Sequence, residues 1–250
     1  MTPSPASTDR PPLFASDLHL SPDRPAARAA FRAFAQGPAR GAVAVYLLGD
    51  LFDWWVGDDQ IADPFVAGIV ADLRGISAAG VPLYIGHGNR DFMLGAKFAK
   101  ATGATLLPEQ QVLDLAGIRT VICHGDELCT DDTEYLAYRA RMRDPATQAR
   151  LLRLPYFARR AIAWWLRRKS RDEKALKADR IMDVNDDAVV AALRAHDVQR
   201  MIHGHTHRPA RHEHLVDGTT RERLVLADWH QQGQYLAVDA TGVHDHVIRG

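Results

Sequence analysis

Short apolar runs that break into polar residues recur along the chain, alternating with stretches of helical spacing. "LFASDLHL" (13–20), "GAVAVYLLGD" (41–50), "VPLYIGHGN" (81–89), "IRTVICHGD" (118–126) and "VQRMIHGHTH" (198–207) each predict a buried strand running into a loop. "PAARAAFRAFAQG" (25–37) predicts a helix with a proline near its start and a glycine stop. "DPFVAGIVADLRGISAAG" (63–80) and "MLGAKFAKATG" (93–103) predict two more helices. "QQVLDLAG" (110–117) predicts a strand before 118–126, and 211–229 and 234–248 alternate and turn like antiparallel hairpins. Alternating β and α units imply an α/β fold with central sheets covered by helices.

The segment from Asp131 to His196 breaks this rhythm, with helix-forming sequence and no convincing strand. The expected division is a disordered tail over 1–12, a core over 13–130 and 197–250, and a helical cap over 131–196. Between Arg139 and Arg180 fourteen basic residues face four acidic ones, although the whole chain carries 31 of each sign. Phe157, Trp164, Trp165 and Leu166 are interleaved with these arginines. The segment reads either as an amphipathic helix with core aromatics and solvated arginines, or as a surface for an anionic, greasy ligand or membrane.

Composition narrows the class. Hydrophobic and charged fractions of 46% and 25% are those of an ordinary globular protein. Zero formal charge argues against a polyanionic partner for the chain as a whole. Cys123 and Cys129 leave a disulfide open, but read as thiols of a reducing compartment. The N-terminal "MTPSPASTDRPP" lacks the apolar core of a signal peptide, and no apolar run approaches the ~18 residues of a membrane span.

The candidate chemistry sits where strands end. "SDLH" offers Asp17 and His19, "GDLFD" Asp50 and Asp53, "GNRD" Asn89 and Asp91, "HGD" His124 and Asp126, and "GHTH" His205 and His207. Any one cluster is an ordinary turn, but such sheets assemble sites at one edge from several loops. Asp, His and Asn without thiolate suit Mn²⁺, Fe²⁺ or Zn²⁺. There are more ligands than one ion needs, and two ions about 3.5–4 Å apart are the arrangement used for phosphate ester hydrolysis.

In this order, D-x-H, G-D-x-x-D, G-N-x-D, H-G-D and G-H-T-H resemble the calcineurin-like metallophosphoesterases. The resemblance implies a four-layer αββα sandwich with an inserted helical cap. It also implies a dinuclear site: Asp17, His19 and His207 on one ion, Asn89, His124 and His205 on the other, and Asp50 bridging. Asp53, Asp91 and Asp126 are expected to orient the ligating imidazoles. His203 is expected either to pack or to support a ligand from behind, and His87, His196, His212, His214, His230, His244 and His246 fit no ligand slot. Many superfamily members place histidine after the Asn, where it donates a proton to a poor leaving group. This chain has Arg90, a permanent cation suited to holding phosphate whose leaving group departs unaided.

"SDLHL", "GDLFDWW", "GNRDF", "HGDELCTDD", "IMDVN" and "HGHTHRP" together resemble the UDP-2,3-diacylglucosamine hydrolase family. That resemblance implies two Mn²⁺, an acylated UDP-sugar substrate, and water attack giving UMP and lipid X in lipid A biosynthesis. It implies a peripheral place on the cytoplasmic side of the inner membrane, with no nucleic acid and no obligate protein partner. Catalytic positions carried over are Asp17, Asp50, Asn89, Arg90, His124 and His205. Substrate positions are Asn89, Arg90, Asp132, Ser170, Lys174, Lys177 and His205, with Tyr135 and Arg167 as further pocket candidates. Lys174 departs from the asparagine usual there, adding a cation. The competing readings are a pyrophosphatase for a soluble nucleotide conjugate, a metal-free binding scaffold, and a nucleic-acid binder using the basic segment.

Overall fold

A computed structural model describes residues 10–174, 183–230 and 232–250, with the side chains of Arg167 and 169–174 not included. Three parallel strands build the first sheet: β1 (Leu13–Ala15), β2 (Val45–Leu47) and β3 (Leu83–Ile85), with Leu13 opposite Val45 and Val45 opposite Leu83. The short β4 (Thr105–Leu106) pairs with β3. The second sheet holds β5 (Gln110–Leu115), β6 (Ile118–Cys123), β7 (Arg200–His203), β8 (Ala210–Val216) and β9 (Thr219–Val225), in the order β5-β6-β7-β9-β8. The C-terminal hairpin β10 (Gly233–Asp239) and β11 (Gly242–Ile248) returns to β1 and completes the first sheet.

Strand alternation creates the layers, because successive side chains point to opposite faces. Leu13, Ala15, Val45, Leu47, Leu83 and Ile85 face a core shared with α1 (Pro25–Gln36), α2 (Pro64–Ala78) and α3 (Ala96–Thr102). The residues between them turn the other way, so Phe14, Tyr46 and Leu48 meet Ile122, Ile202 and Leu224 between the sheets. Phe14 stacks on Tyr46 at 4.9 Å between ring centroids, and Tyr46 on Tyr84 at 4.8 Å, along one register row. Val121, Cys123 and Met201 face a third core. The result is the expected four-layer αββα sandwich.

Helix starts follow their caps. Asp63 accepts from the Phe65 N–H ahead of Pro64, and α1 opens on Pro25, whose missing N–H costs nothing there. The basic segment forms α4 (Thr133–Arg143), α5 (Pro145–Leu152) and α6 (Tyr156–Lys174), capped by Asp132 before α4 and Asp144 before α5. The expected cap boundary at His196 lies too far along the chain. α7 (Asp186–Ala195) buries Val189 and Leu193 against Val121, Met201 and Val216, so it is the outer helical layer of the second sheet.

Phe157, Trp164 and Trp165 are 74%, 63% and 57% exposed, so they are not core aromatics. Arg159, in contrast, is buried, with Nη1 donating to the Val56 carbonyl at 2.8 Å and Nη2 paired with Asp59. It docks α6 onto the loop after β2. Among the described residues no helix is long and apolar enough to cross a membrane.

Candidate active site

Five parallel strands, β1, β2, β3, β6 and β7, end at one edge, and their following loops carry Asp17, His19, Asp50, Asn89, His124, His205 and His207. The first two loops are laced together by backbone hydrogen bonds from Asp17 to Gly49, His19 to Asp50 and Leu20 to Leu51. Asp17, His19, Asp50, His205 and His207 all have φ between 46° and 68°. That left-handed region is uncommon for residues with a Cβ and costs about 1–3 kcal/mol each where it persists at functional sites. Five of the eight such non-glycine residues in the described chain fall on candidate ligands.

Two glycines make the close approach possible. A Cβ on Gly88 would lie 2.0 Å from Asp50 Oδ1, and one on Gly204 would lie 2.1 Å from Asp17 Oδ2. Gly88 therefore serves backbone contact, with no left-handed conformation required of it.

Asp17, His19 and His207 offer atoms within 4.8 Å of one another, and so do Asp17, Asp50 and His124. His19 Nε2 faces His207 Nε2 at 3.2 Å, and His19 Nδ1 is buried without a hydrogen-bond partner among the described residues. The two oxygens of Asp50 diverge, Oδ2 lying 3.7 Å from His19 and Oδ1 3.8 Å from His124. His124 Nδ1 donates to the Leu48 carbonyl at 3.0 Å, which leaves Nε2 pointing at Asn89 Oδ1, 3.2 Å away. In neutral imidazole that nitrogen is an acceptor, so two lone pairs meet unless a positive charge comes between them. The His205 ring stands edge-on to His124 at 5.1 Å.

The electrostatics carry the same message. Burial alone would lower His124, but Asp50, Asp17, Asp126 and Asp91 raise it to about 9. Burial, with Asp91 and Asp17 adding to it, pushes Asp50 up to about 7. Burial holds His19 well below its ordinary value, against the field of Asp17. Burial would raise Asp17, yet the His207 hydrogen bond and the fields of His124, His207 and His19 bring it far below the carboxylate range. Buried carboxylates and imidazoles that neutralise one another only by shifting protons fit a divalent cation, and the N/O donor set fits Mn²⁺, Fe²⁺ or Zn²⁺.

Asp91 and Asp126 act on His124 through their charge, while their hydrogen bonds go elsewhere. Asp91 accepts from backbone: Oδ1 from Gly88 N (2.8 Å) and Asp50 N (3.2 Å), and Oδ2 from Leu51 N (2.7 Å) and Phe52 N (3.3 Å). Asp126 likewise turns to the cap, accepting from Tyr135 Oη at 2.7 Å and Arg139 Nε at 2.8 Å and pairing with Arg143. Asp53 lines the cavity. A further carboxylate faces an imidazole: Asp228, 3.5 Å from His207 Nδ1. It was not legible beforehand, because "LADWH" carries no strand-end motif and reaches the site through the β7–β9 pairing. His203 is fully buried between the Gly204 carbonyl and Arg223, with burial first and then Arg223 lowering it to about 4, consistent with packing.

A cavity of about 370 Å³ opens over the cluster, lined by His19, Arg24, Asp50, Asp53, Asn89, Arg90, His205, His207, Asp228 and His230. Arg90 is brought there by its own N–H, which donates to Asp50 Oδ1 at 2.8 Å. Tyr135 stacks on His205, centroids 6.3 Å apart and planes 23° apart, while Asp132 accepts from the Tyr135 N–H as the α4 cap. The side chains of Arg167, Ser170 and Lys174, and the whole of Lys177, lie outside the described residues. Cys123 and Cys129 are both buried thiols, not joined in a disulfide.

Residues 11–209 match the family model of the calcineurin-like phosphoesterases. The chain belongs to this family. It is 48% identical to a UDP-2,3-diacylglucosamine hydrolase of Escherichia coli O81 (strain ED1a) over 231 residues, covering 92% of this chain and 96% of that one. The same figures hold for a UDP-2,3-diacylglucosamine hydrolase of Shigella sonnei (strain Ss046). A solved archaeal phosphodiesterase superposes with a TM-score of 0.47 at 12% identity, covering 94% of this chain and 98% of that one. Membership of a calcineurin-like family implies a dinuclear metal site, and the chain is a metal-dependent hydrolase.

Proposed function

We propose that the protein hydrolyses the pyrophosphate bond of UDP-2,3-diacylglucosamine in lipid A biosynthesis. Water attacks the uridine-side phosphorus, and the products are UMP and 2,3-diacylglucosamine 1-phosphate (lipid X). The observation that carries this reading is Arg90 on the wall of the carboxylate–imidazole cavity, beside Asn89. A guanidinium stays charged at any working pH, so it holds phosphate oxygens and gives no proton to a leaving group. A sugar phosphate leaving from a pyrophosphate needs no such proton, whereas an alkoxide does. The names of the 48%-identical relatives support the same substrate.

Asp17, His19 and His207 would hold one Mn²⁺ and Asn89, His124 and His205 the other, with Asp50 between them. Such a pair, when bound, supplies charge for phosphoryl oxygens and lowers the pKa of water toward neutrality. The chain's own part is positioning. The Arg90 and His205 N–H groups fix the Asp50 and Asp17 carboxylates at 2.8 Å each, and Asp228 turns His207. Substrate contacts fall to Asn89, Arg90, Asp132, Ser170, Lys174, Lys177 and His205, with Tyr135 and Arg167 flanking them. The cap's exposed Phe157, Trp164 and Trp165, with Arg168 over the Trp164 ring, suit acyl chains and a peripheral place on the cytoplasmic face of the inner membrane.

The test is incubation of Mn²⁺-loaded protein with UDP-2,3-diacylglucosamine and, separately, with UDP-N-acetylglucosamine. The reading expects UMP from the first and little from the second. Equal turnover of both, or none with well-metallated protein, would refute it.

A further inference from the structure

Two arginines, Arg90 and Arg24, line the cavity. Arg90 lies toward the cap: Arg143 of α4 donates to the Gly88 carbonyl at 3.3 Å, and the Arg90 charge opposes the rise that burial imposes on the Tyr138 phenol of α4. Arg24 follows β1, just ahead of α1, whereas Arg90 follows β3, and β1 and β3 flank β2 in the sheet; Asp228 and His230, after β9, line the same cavity. Arg24 Nη1 is buried without a hydrogen-bond partner among the described residues. Asp228 faces His207 Nδ1 and not Arg24 Nη1.

A buried donor on a cation costs free energy unless an acceptor answers it. Here the unanswered donor belongs to a residue lining a cavity whose chemistry is phosphate chemistry. Hydrolysis of a pyrophosphate diester leaves two phosphates for the cavity to hold. The bridging oxygen leaves with the sugar phosphate, water oxygen joins the uridine-side phosphorus, and the water protons pass to solvent. Each product phosphate thus gains negative charge relative to the substrate. Beyond the charge a bound metal pair would supply, the cavity offers two arginines to meet them, Arg90 and Arg24.

We propose that Arg24 is the nucleotide-side phosphate ligand, its guanidinium holding a non-bridging oxygen of the uridine-side phosphate while Arg90 holds the sugar phosphate. The assignment rests on the pyrophosphatase reading above. It makes the β1–α1 loop the nucleotide end of the site and the α4 side the lipid end.

The test is equilibrium binding to Mn²⁺-loaded protein, with UMP and 2,3-diacylglucosamine 1-phosphate as separate probes. Arg24→Met should weaken UMP binding about tenfold, the loss of one charge-assisted hydrogen bond, and leave the sugar phosphate within about twofold. Arg24→Lys should fall between wild type and Arg24→Met, and Arg90→Met should show the opposite preference. An unchanged urea midpoint for Arg24→Met shows that the fold is retained. Unaltered UMP binding, or equal weakening of both probes, overturns the assignment. Wild-type turnover of UDP-2,3-diacylglucosamine is measured beside it. Turnover with no Arg24 effect removes the Arg24 assignment alone. An Arg24 effect on UMP without turnover removes the pyrophosphatase reading and leaves a nucleotide-phosphate site.

Discussion

Replacing Asp91 with asparagine removes one acceptor oxygen from a side chain that four backbone N–H groups surround. The carboxylate is fully buried and ties the Asp50–Phe52 turn to Gly88, so it sets the separation of two loops that carry candidate ligands. An amide can accept at one oxygen only, and its NH₂ group then confronts the two N–H donors the other oxygen served. Leaving a buried donor unsatisfied costs about 1–3 kcal/mol, so two of them predict a loss of about 2–6 kcal/mol. That is a large share of the ~5–15 kcal/mol that keeps a domain folded. Urea unfolding of chelator-treated wild type and Asp91→Asn measures it, provided the m-value is unchanged. A difference under about 0.5 kcal/mol, within the range of surface substitutions, would refute the claim that this side chain staples the loops.

Arg90→His should lower kcat for UDP-2,3-diacylglucosamine at least about tenfold, since it exchanges a fixed charge for a titrating one; equal or higher activity contradicts the role given to Arg90. Arg159→Met should cost about 1–3 kcal/mol of cap docking and raise KM for the diacyl substrate; bis(p-nitrophenyl) phosphate turnover should stay within about twofold, and an unchanged KM would contradict this. Divalent-cation binding should displace a proton from His124, whose metal-free value of about 9 keeps it protonated at pH 7.5. Calorimetry in buffers of different ionisation enthalpy should therefore find proton release at pH 7.5, fading above pH 9. Equal release at both pH values would contradict the assignment.

How much was legible beforehand depended on whether the information was local. Apolar runs ending in D-x-H or G-N-x-D announce themselves, because a strand's period and the chemistry of its end lie side by side in the chain. The five strand ends and the layered fold were readable for that reason. Asp228 and Arg24 were not, since each flanks an element that carries no motif and only the sheet topology brings them to the cavity. α7 has the same helical spacing as the cap helices, so only the third core reveals where it belongs. Asp91 and Asp126 looked like partners for imidazoles by residue type. The backbone donors around one and the cap arginines around the other decided differently, and composition does not report such distances.

The most direct test of the central claim is a single turnover of UDP-2,3-diacylglucosamine by Mn²⁺-loaded protein in H₂¹⁸O, with mass spectrometry of both products. Attack on the uridine-side phosphorus predicts one ¹⁸O in UMP and none in 2,3-diacylglucosamine 1-phosphate. Label in the sugar phosphate, or no UMP at all, would contradict the account.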